Sequence, residues 1–480
     1  MPPLTDAKDF TADENARIKR LLPWLVAVAF FMESLDATIL NTAVPVVAKA
    51  LNVSSLSMKS VLSAYTLSLA VFIPISSWVA DRFGTRRVFF TAIAIFTLGS
   101  FLCGISNHIN LLVAFRILQG CGGAMMVPVG RLTLVRSFAR SELVRAMTFV
   151  AIPALIGPML GPLAGGLIVG LFHWRMIFFV NIPIGLAGMY LVRRYLPDYK
   201  EPVGKIDIVG LILFGAGIAL LSYILEIFSA HNLLPGEVFG LFGLAMILLL
   251  GYGVHARGIK NPLLRLDMFK IRTLRACVLG NFITRLGVGG LPFLLPLLYQ
   301  IGLGFTPIQS GLMMMPQSIA ALGLRAFIGS ILTYFGYRAV LLTNTIALGI
   351  SIAAFGLVGE HTPLALIIIQ SCLFGFFSST QYTCMNTLVY ADVPNNQTSM
   401  ASTIVSTVQQ LALSFGVAGA SIVTAFFIPD AFRPSGHEMV HGLHKAFLLL
   451  GGLTVLSAFV FAGLKNNDGD NMSLHKSQPV

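Results

Sequence analysis

The chain has 480 residues, of which 56% are hydrophobic and only 11% charged, and its mean hydropathy is +0.83. That balance excludes a string of soluble domains and any soluble catalytic domain, leaving room at ~20 to 25 residues per span for roughly twelve to fourteen transmembrane helices. The formal net charge is +12, but the basic residues fall between apolar runs rather than beside exposed aromatics, which speaks for membrane orientation and against nucleic acid.

The first apolar run follows Arg17, Lys19 and Arg20, and Ala48-x-Ala50 behind it imitates a cleavage site. The run is too long for a signal peptide and carries Glu33 and Asp36, so an uncleaved first span is predicted. Apolar runs place spans near 22–44, 61–80, 88–106, 110–134, 146–170, 175–195, 206–228, 236–255, 275–299, 307–332, 339–358, 363–390, 399–427 and 446–464, fourteen in all. Cys103, Cys121, Cys277, Cys372 and Cys384 lie inside these runs without metal-ligand spacing. They read as small core residues, neither bridged nor metal-binding.

With the N-terminus inside, the segments on that face hold twenty-three Lys and Arg against five on the other. The bias predicts that both termini are cytoplasmic. Arg116, Arg131, Arg285 and Arg325 are left within spans, where a charge is costly and points to function. Two short inside loops match at an offset of 252 residues: Asp81-Arg82-Phe83-Gly84-Thr85-Arg86 and Thr333-Tyr334-Phe335-Gly336-Tyr337-Arg338. A six-helix half needs only ~190 residues. The surplus is filled by the apolar segment 206–255, read as two extra helices. Six plus two plus six, with related halves, is the pattern of a secondary transporter whose site lies between the halves.

These features, together with the run Leu35-Asp36-Ala37-Thr38-Ile39-Leu40-Asn41-Thr42-Ala43-Val44-Pro45, resemble the major facilitator superfamily over nearly the whole chain. The likeness is to its fourteen-helix drug:proton antiporters and, within them, to the bacterial group of proposed multidrug-transport D proteins. The resemblance implies an all-α polytopic membrane protein with the major facilitator fold. Its expected parts are a cytoplasmic tail 1–20, an N-terminal six-helix bundle 21–197, two additional helices 206–256, a C-terminal six-helix bundle 275–464 and a cytoplasmic tail 465–480.

Within the loop after the second span, Gly84 permits the positive φ that a tight helix exit needs. The resemblance makes Asp81, Gly84 and Arg86 parts of a conformational switch, with Asp81 contacting a helix N-terminus of the second half near Ser399. Ser77 and Thr333 depart from the family's glycine and acid. Arg116-Ile117-Leu118-Gln119-Gly120 resembles the family's second motif, whose arginine tunes a proton-carrying acid. Counting ~1.5 Å per residue puts Arg116 ~9 Å and Asp36 ~12 Å from the outer ends of their helices, so the two can pair and are the expected proton-coupling residues. Gly157, Pro158, Gly161, Pro162 and Gly165 resemble the antiporter motif of exporters: glycines every four residues let another backbone approach, and the prolines bend the helix. The stretch from Trp174 through Asn181 and Pro183 to Gly185 is likewise typical of the fourteen-helix group.

Glu33, Gln119, Arg285, Gln317, Gln381, Tyr382 and Asn386 are the candidates for a substrate cavity, because polar groups within lipid must find partners or water. Gln300, Gln409 and Gln410 belong to the same polar set. His437-Glu438-Met439-Val440-His441 spells the zinc-peptidase pattern, with His444 three residues on, but the short outer loop predicted there offers no peptide cleft. No metal or other cofactor is expected, and no Gly-x4-Gly-Lys-Ser/Thr sequence exists to use ATP. The reading is a non-enzymatic, proton-driven antiporter in the cell inner membrane that exports small amphipathic compounds such as drugs by alternating access. An anionic metabolite or siderophore as cargo stays open, as does membrane-embedded zinc peptidase activity through His437, Glu438 and His441. Open too is whether the protein acts alone or with a periplasmic adaptor and an outer-membrane channel.

Overall fold

In hydrocarbon every backbone polar group needs an internal partner, so each apolar run closes its hydrogen bonds as a helix. The computed structural model describes residues 12–228, 235–323, 325–394, 397–428, 436–470 and 472, and among them there is no strand. The first set is α1 (Ala12–Ala50), α2 (Lys59–Phe72), α3 (Ser76–Phe83), α4 (Thr85–Ile105), α5 (Ile109–Ser137), α6 (Arg140–Leu171), α7 (Met176–Phe179) and α8 (Asn181–Tyr195). An inserted pair follows, α9 (Ile208–Phe228) and α10 (Pro235–Gly258). The last set is α11 (Arg272–Val288), α12 (Leu291–Leu297), α13 (Pro307–Gly323), α14 (Arg325–Ala354), α15 (Leu364–Leu388), α16 (Thr398–Phe426), α17 (Gly436–Leu456) and α18 (Ala458–Ala462).

Thirteen helices among the described residues are long and apolar enough to cross a membrane. The 17-residue α13 stands in the remaining place, which fits the expected fourteen. The side chain of Arg325 lies outside the described residues. The loop repeat is structural as well as sequential: Gly84 (φ +100°) ends α3, and Gly336 (φ +71°) divides α14 into two helices. A side chain at Gly84 would also collide with the Asp198 carboxylate, which accepts from the Arg86 backbone N–H at 3.0 Å.

Apolar packing distinguishes the two faces of the molecule. On the face away from the basic loops, one core joins both sets, with Ile39 and Val44 of α1 packed in the same cluster as Leu294, Met314 and Phe447. On the basic face there are two cores, one around Phe89 and Val129 and the other around Leu341 and Met385, the latter reaching Ala70 and Ile75 of the first set. The sets therefore share a single core at the face away from the basic loops and only this narrower contact at the basic face.

The inserted pair packs through α9 against α2 and α16, one helix from each set. Its outer member α10 is mostly bare, with Phe239 and Val254 more than 70% exposed, as a lipid-facing helix should be. Asp207 ties the pair to the following loop. It accepts from the backbone N–H of Gly210 and Leu263 and bonds to His255 Nε2 at 2.7 Å. Burial pushes its carboxyl up, but these donors outweigh that and hold it below the ordinary aspartate value.

Candidate functional site

The glycines of α6 decide where α1 sits. A Cβ on Gly157 would overlap the Ser34 hydroxyl, one on Gly161 the Thr38 hydroxyl, and one on Gly165 the Ile39 carbonyl. These contacts bracket Asp36, so the seam fixes the turn of α1 that carries the acid. The same helix meets the second set through Gly166, which abuts the Pro307 backbone, and Pro162, whose carbonyl faces Gly311. The motif helix thus touches both the acid-bearing helix and the closed outer contact. Two hydrogen bonds add to that closure: Gln300 Nε2 donates to the Thr42 carbonyl at 2.7 Å, and Ser421 to that of Leu56 at 3.1 Å.

Asp36 is 1% exposed and fully committed. Arg116 Nη1 donates to its Oδ2 at 2.6 Å, while Gln119 Nε2 and Asn181 Nδ2 donate to Oδ1 at 2.9 and 2.8 Å. Arg116 also donates to Gln119 Oε1 at 2.8 Å and stacks 4.2 Å above the Tyr65 ring. Asn181 bonds Ser100 in turn at 3.0 Å. Three helices, α1, α5 and α8, thus converge on one carboxylate, with α4 joined through Ser100 and Asn181. The pairing of Asp36 with Arg116 agrees with what the motif resemblance implied and helix depth allowed. Ser100 and Tyr65 were not singled out by sequence, and Asn181 only within a family-typical stretch, although an asparagine within an apolar run is itself a signal that a buried partner exists. Arg116 Nε and Asn181 Oδ1 are buried without a hydrogen-bond partner, spare capacity that a second arrangement of the cluster could use.

A cavity of about 590 Å³ opens between the two sets toward the basic face. Glu33 lies on its wall, with Arg131 from α5, Tyr390, and Ser402, Gln409 and Gln410 from α16. Tyr65 links the cavity to the buried cluster, since its hydroxyl donates to Glu33 Oε1 at 3.4 Å while its ring supports Arg116.

The other cavity candidates divide. Asn386 accepts from the cavity residue Gln409 at 2.7 Å. Arg285 donates to Asn281 at 2.6 Å and lies 3.9 Å from the Tyr382 ring centroid, two neutral partners. Gln119 and Gln381 do not line this cavity in the present arrangement: both are 0% exposed, the first within the Asp36 cluster and the second bonded to Asn344 and Thr345. Each amide both donates and accepts a hydrogen bond there. Gln317 presses its backbone on Gly375 and keeps a buried, unpartnered Oε1.

At the basic face, Asp81 accepts from Arg136 Nη2 at 2.8 Å, and Arg136 also pairs with Glu201 at 2.8 Å. The expected partner, the start of α16, stands across a separate cavity of about 400 Å³ that Asp81, Ser399 and Thr403 line together. In this arrangement Asp81 is bonded within its own set. The Arg86 guanidinium comes no nearer than 4.0 Å to the Asp198 carboxylate, which its backbone N–H already engages.

The zinc-peptidase pattern is not in a loop: α17 begins at Gly436, ten residues before the predicted span, and takes the motif into its first turns. His437 and His441 are exposed, and His444 bonds the Val358 carbonyl at 2.8 Å. Among the described residues no three His, Cys, Asp or Glu side chains group to hold a metal ion.

Comparison with known proteins places this geometry. The family model described as Major Facilitator Superfamily matches residues 26–417 and 277–476. The protein named "Putative multidrug resistance protein MdtD" of Shigella flexneri serotype 5b (strain 8401) is 38% identical over 456 residues, 94% of this chain and 96% of that one. Among solved structures, the POT family transporter PepTSo superimposes with a TM-score of 0.68 at 16% identity, covering 92% of this chain and 97% of that one. A D-xylose-proton symporter gives 0.66 at 13%, covering 94% and 99%.

Proposed function

The chain belongs to the Major Facilitator Superfamily, whose members are transporters and not enzymes, and from that premise we propose that it is a proton-coupled exporter of small amphipathic compounds. The observation that carries the proposal is the Asp36 cluster. A carboxylate buried in this arrangement and held by one guanidinium and two amides ties α1 to α5 and α8 through its charge. Protonation would release Arg116, and the released cluster would loosen α1 against α5 and α8. Because α1 and α6 share the glycine seam, and α6 closes the outer face on α13, the proton load of Asp36 and the closure of that face are coupled, so a proton taken up while the face is open and released while it is closed moves inward as the cargo moves outward. The kinship with a protein named for multidrug resistance supports the cargo class.

A proton crossing ~100 mV supplies ~2.3 kcal/mol, which at tight coupling sustains roughly a fifty-fold concentration gradient. On this reading the basic loops and both termini face the cytoplasm across the inner membrane, and reporter fusions after residues 90, 235 and 480 should read inside, outside and inside. An outside C-terminus would sink that orientation. The functional test is transport by the purified protein in liposomes with an imposed pH gradient. An amphipathic fluorescent dye should accumulate against its own gradient and leak back when an uncoupler is added. Dye flux that ignores the uncoupler would make the protein a facilitator.

A second reading, export of an anionic solute, draws on Arg285, whose partners Asn281 and Tyr382 leave its charge without a carboxylate. The same liposomes decide it: competition of dye transport by organic anions but not by cations would favour this cargo.

A further inference from the structure

The lipid-facing wall of the first set contains a groove that transport does not use. It has a volume of about 470 Å³ and runs between α1 and α8 over a floor supplied by Ile93 of α4. Leu21, Trp24 and Val28 form one wall, and Ile184, Gly188 and Tyr195 the other. Trp24 is 58% exposed, so the groove faces the bilayer and not the protein interior.

Its length matches one leaflet. From Leu21 to Met32 on α1, and from Tyr195 back to Pro183 on α8, the groove spans ~16 to 18 Å at ~1.5 Å per residue. Half of a ~30 Å hydrocarbon core is ~15 Å. The groove therefore starts at the basic face and ends near the bilayer midplane, the depth of a single acyl chain.

The mouth carries charge of one sign. Arg20 lies one turn before the lining residue Trp24 and Arg194 one turn after the lining residue Leu191, and both arginines are exposed. The Arg194 guanidinium is 5.9 Å from the ring centroid of Tyr195, itself a lining residue. Lys19, by contrast, is already engaged with Glu142 at 2.8 Å. Arginines clustered at the end of an apolar intramembrane groove recognise an anionic headgroup whose tail the groove accepts.

We propose that this groove binds an anionic phospholipid, with one acyl chain between α1 and α8 and its phosphate on Arg20 and Arg194. The occupant is a lipid and not a soluble anion, because the apolar channel below the arginines would otherwise stay unfilled.

The experiment titrates the purified full-length protein in neutral detergent with phosphatidylglycerol or with phosphatidylcholine of identical chains. Native mass spectrometry reads bound lipid, and the melting temperature is followed in parallel. Phosphatidylglycerol should bind at least tenfold more tightly, and Arg20→Ala/Arg194→Ala should erase at least tenfold of that preference while leaving phosphatidylcholine binding unchanged. Gly188→Leu fills the groove, since a Cβ there meets Ile93 only at 3.7 Å, and should weaken both lipids by a similar factor. Equal affinity for the two lipids, a preference that survives the double arginine change, or full lipid binding by Gly188→Leu would each overturn the proposal. So would glycerol phosphate alone reproducing the stabilisation, which would reduce the groove to a surface anion site.

Discussion

Asp36 and Arg116, eighty positions apart in the chain, meet at 2.6 Å with each side chain only 1% exposed. A buried pair of this kind costs desolvation on both sides, and removing one partner strands the other at a penalty of ~3 to 5 kcal/mol. Arg116→Ala should therefore lower the melting temperature sharply and stop transport. Asp36→Asn keeps an acceptor for Gln119 and Asn181 and should fold, yet lose all uphill export while retaining downhill exchange. The double change Asp36→Asn/Arg116→Gln should recover stability without recovering coupling. Uncoupler-sensitive accumulation by Asp36→Asn would move the proton site elsewhere, Glu33 being the next acid.

Glu33 and Asp36 lie one turn apart on α1 but in different surroundings, the first on the cavity wall and the second closed in behind Tyr65. The division predicts different phenotypes. Glu33→Gln should reorder the exported compounds, lowering transport of cationic ones about tenfold relative to neutral ones, with the response to an imposed pH gradient intact. Export assays over a panel of charged and neutral dyes read this directly, and an unchanged order would reduce Glu33 to packing.

The seam between α1 and α6 makes a steric prediction. Gly161→Val must displace Thr38, and overpacking of this kind costs ~1 to 3 kcal/mol in a core. The displaced turn also carries Asp36, so transport should fall by more than the loss of stability explains. Gly240→Ala on α10, where nothing lies within 4 Å of the added methyl group, is the control and should transport normally. Equal activity of the two variants at equal expression would show that the seam does not position the acid.

Much of this was legible in the sequence because the bilayer enforces it. Apolar runs had to become helices, and the repeat of Gly84 at Gly336 survived as a repeat of positive φ. The Asp36–Arg116 contact was implied by the motif resemblance and allowed by depth counted along two helices. What sequence could not rank was the direction in which each polar side chain turns: Gln119 and Gln381 read like the cavity residue Gln409, yet the first two found partners inside the packing. The start of α17 was misplaced for a related reason, since His437, Glu438, His441 and His444 look like loop residues although a helix can carry them above the membrane surface. Asn181 was visible only as part of a longer run, and its role emerged once α8 was seen beside α1.

Asp81 offers the last test, because two partners compete for it. In the present arrangement it is bonded to Arg136, and the start of α16 at Thr398 stands across an open cavity. Closure of the basic face would bring that helix N-terminus, a favourable seat for an anion, toward the same carboxylate. The Asp81, Arg136 and Glu201 side chains are 20%, 16% and 50% exposed, so the bonds among them contribute only ~1 kcal/mol or less. Arg136→Ala should then leave the melting temperature nearly unchanged yet shift the population toward the closed inner face, by about the same free energy. A cysteine placed at Ser402, on the cavity wall, reports the shift through its rate of alkylation by a membrane-impermeant reagent. The rate should fall several-fold in Arg136→Ala and return when Asp81→Asn is added, because the neutral amide loses its attraction to the helix start. If alkylation is the same in all three backgrounds, Asp81 does not choose between the two partners, and the switch must rest on other contacts at this face.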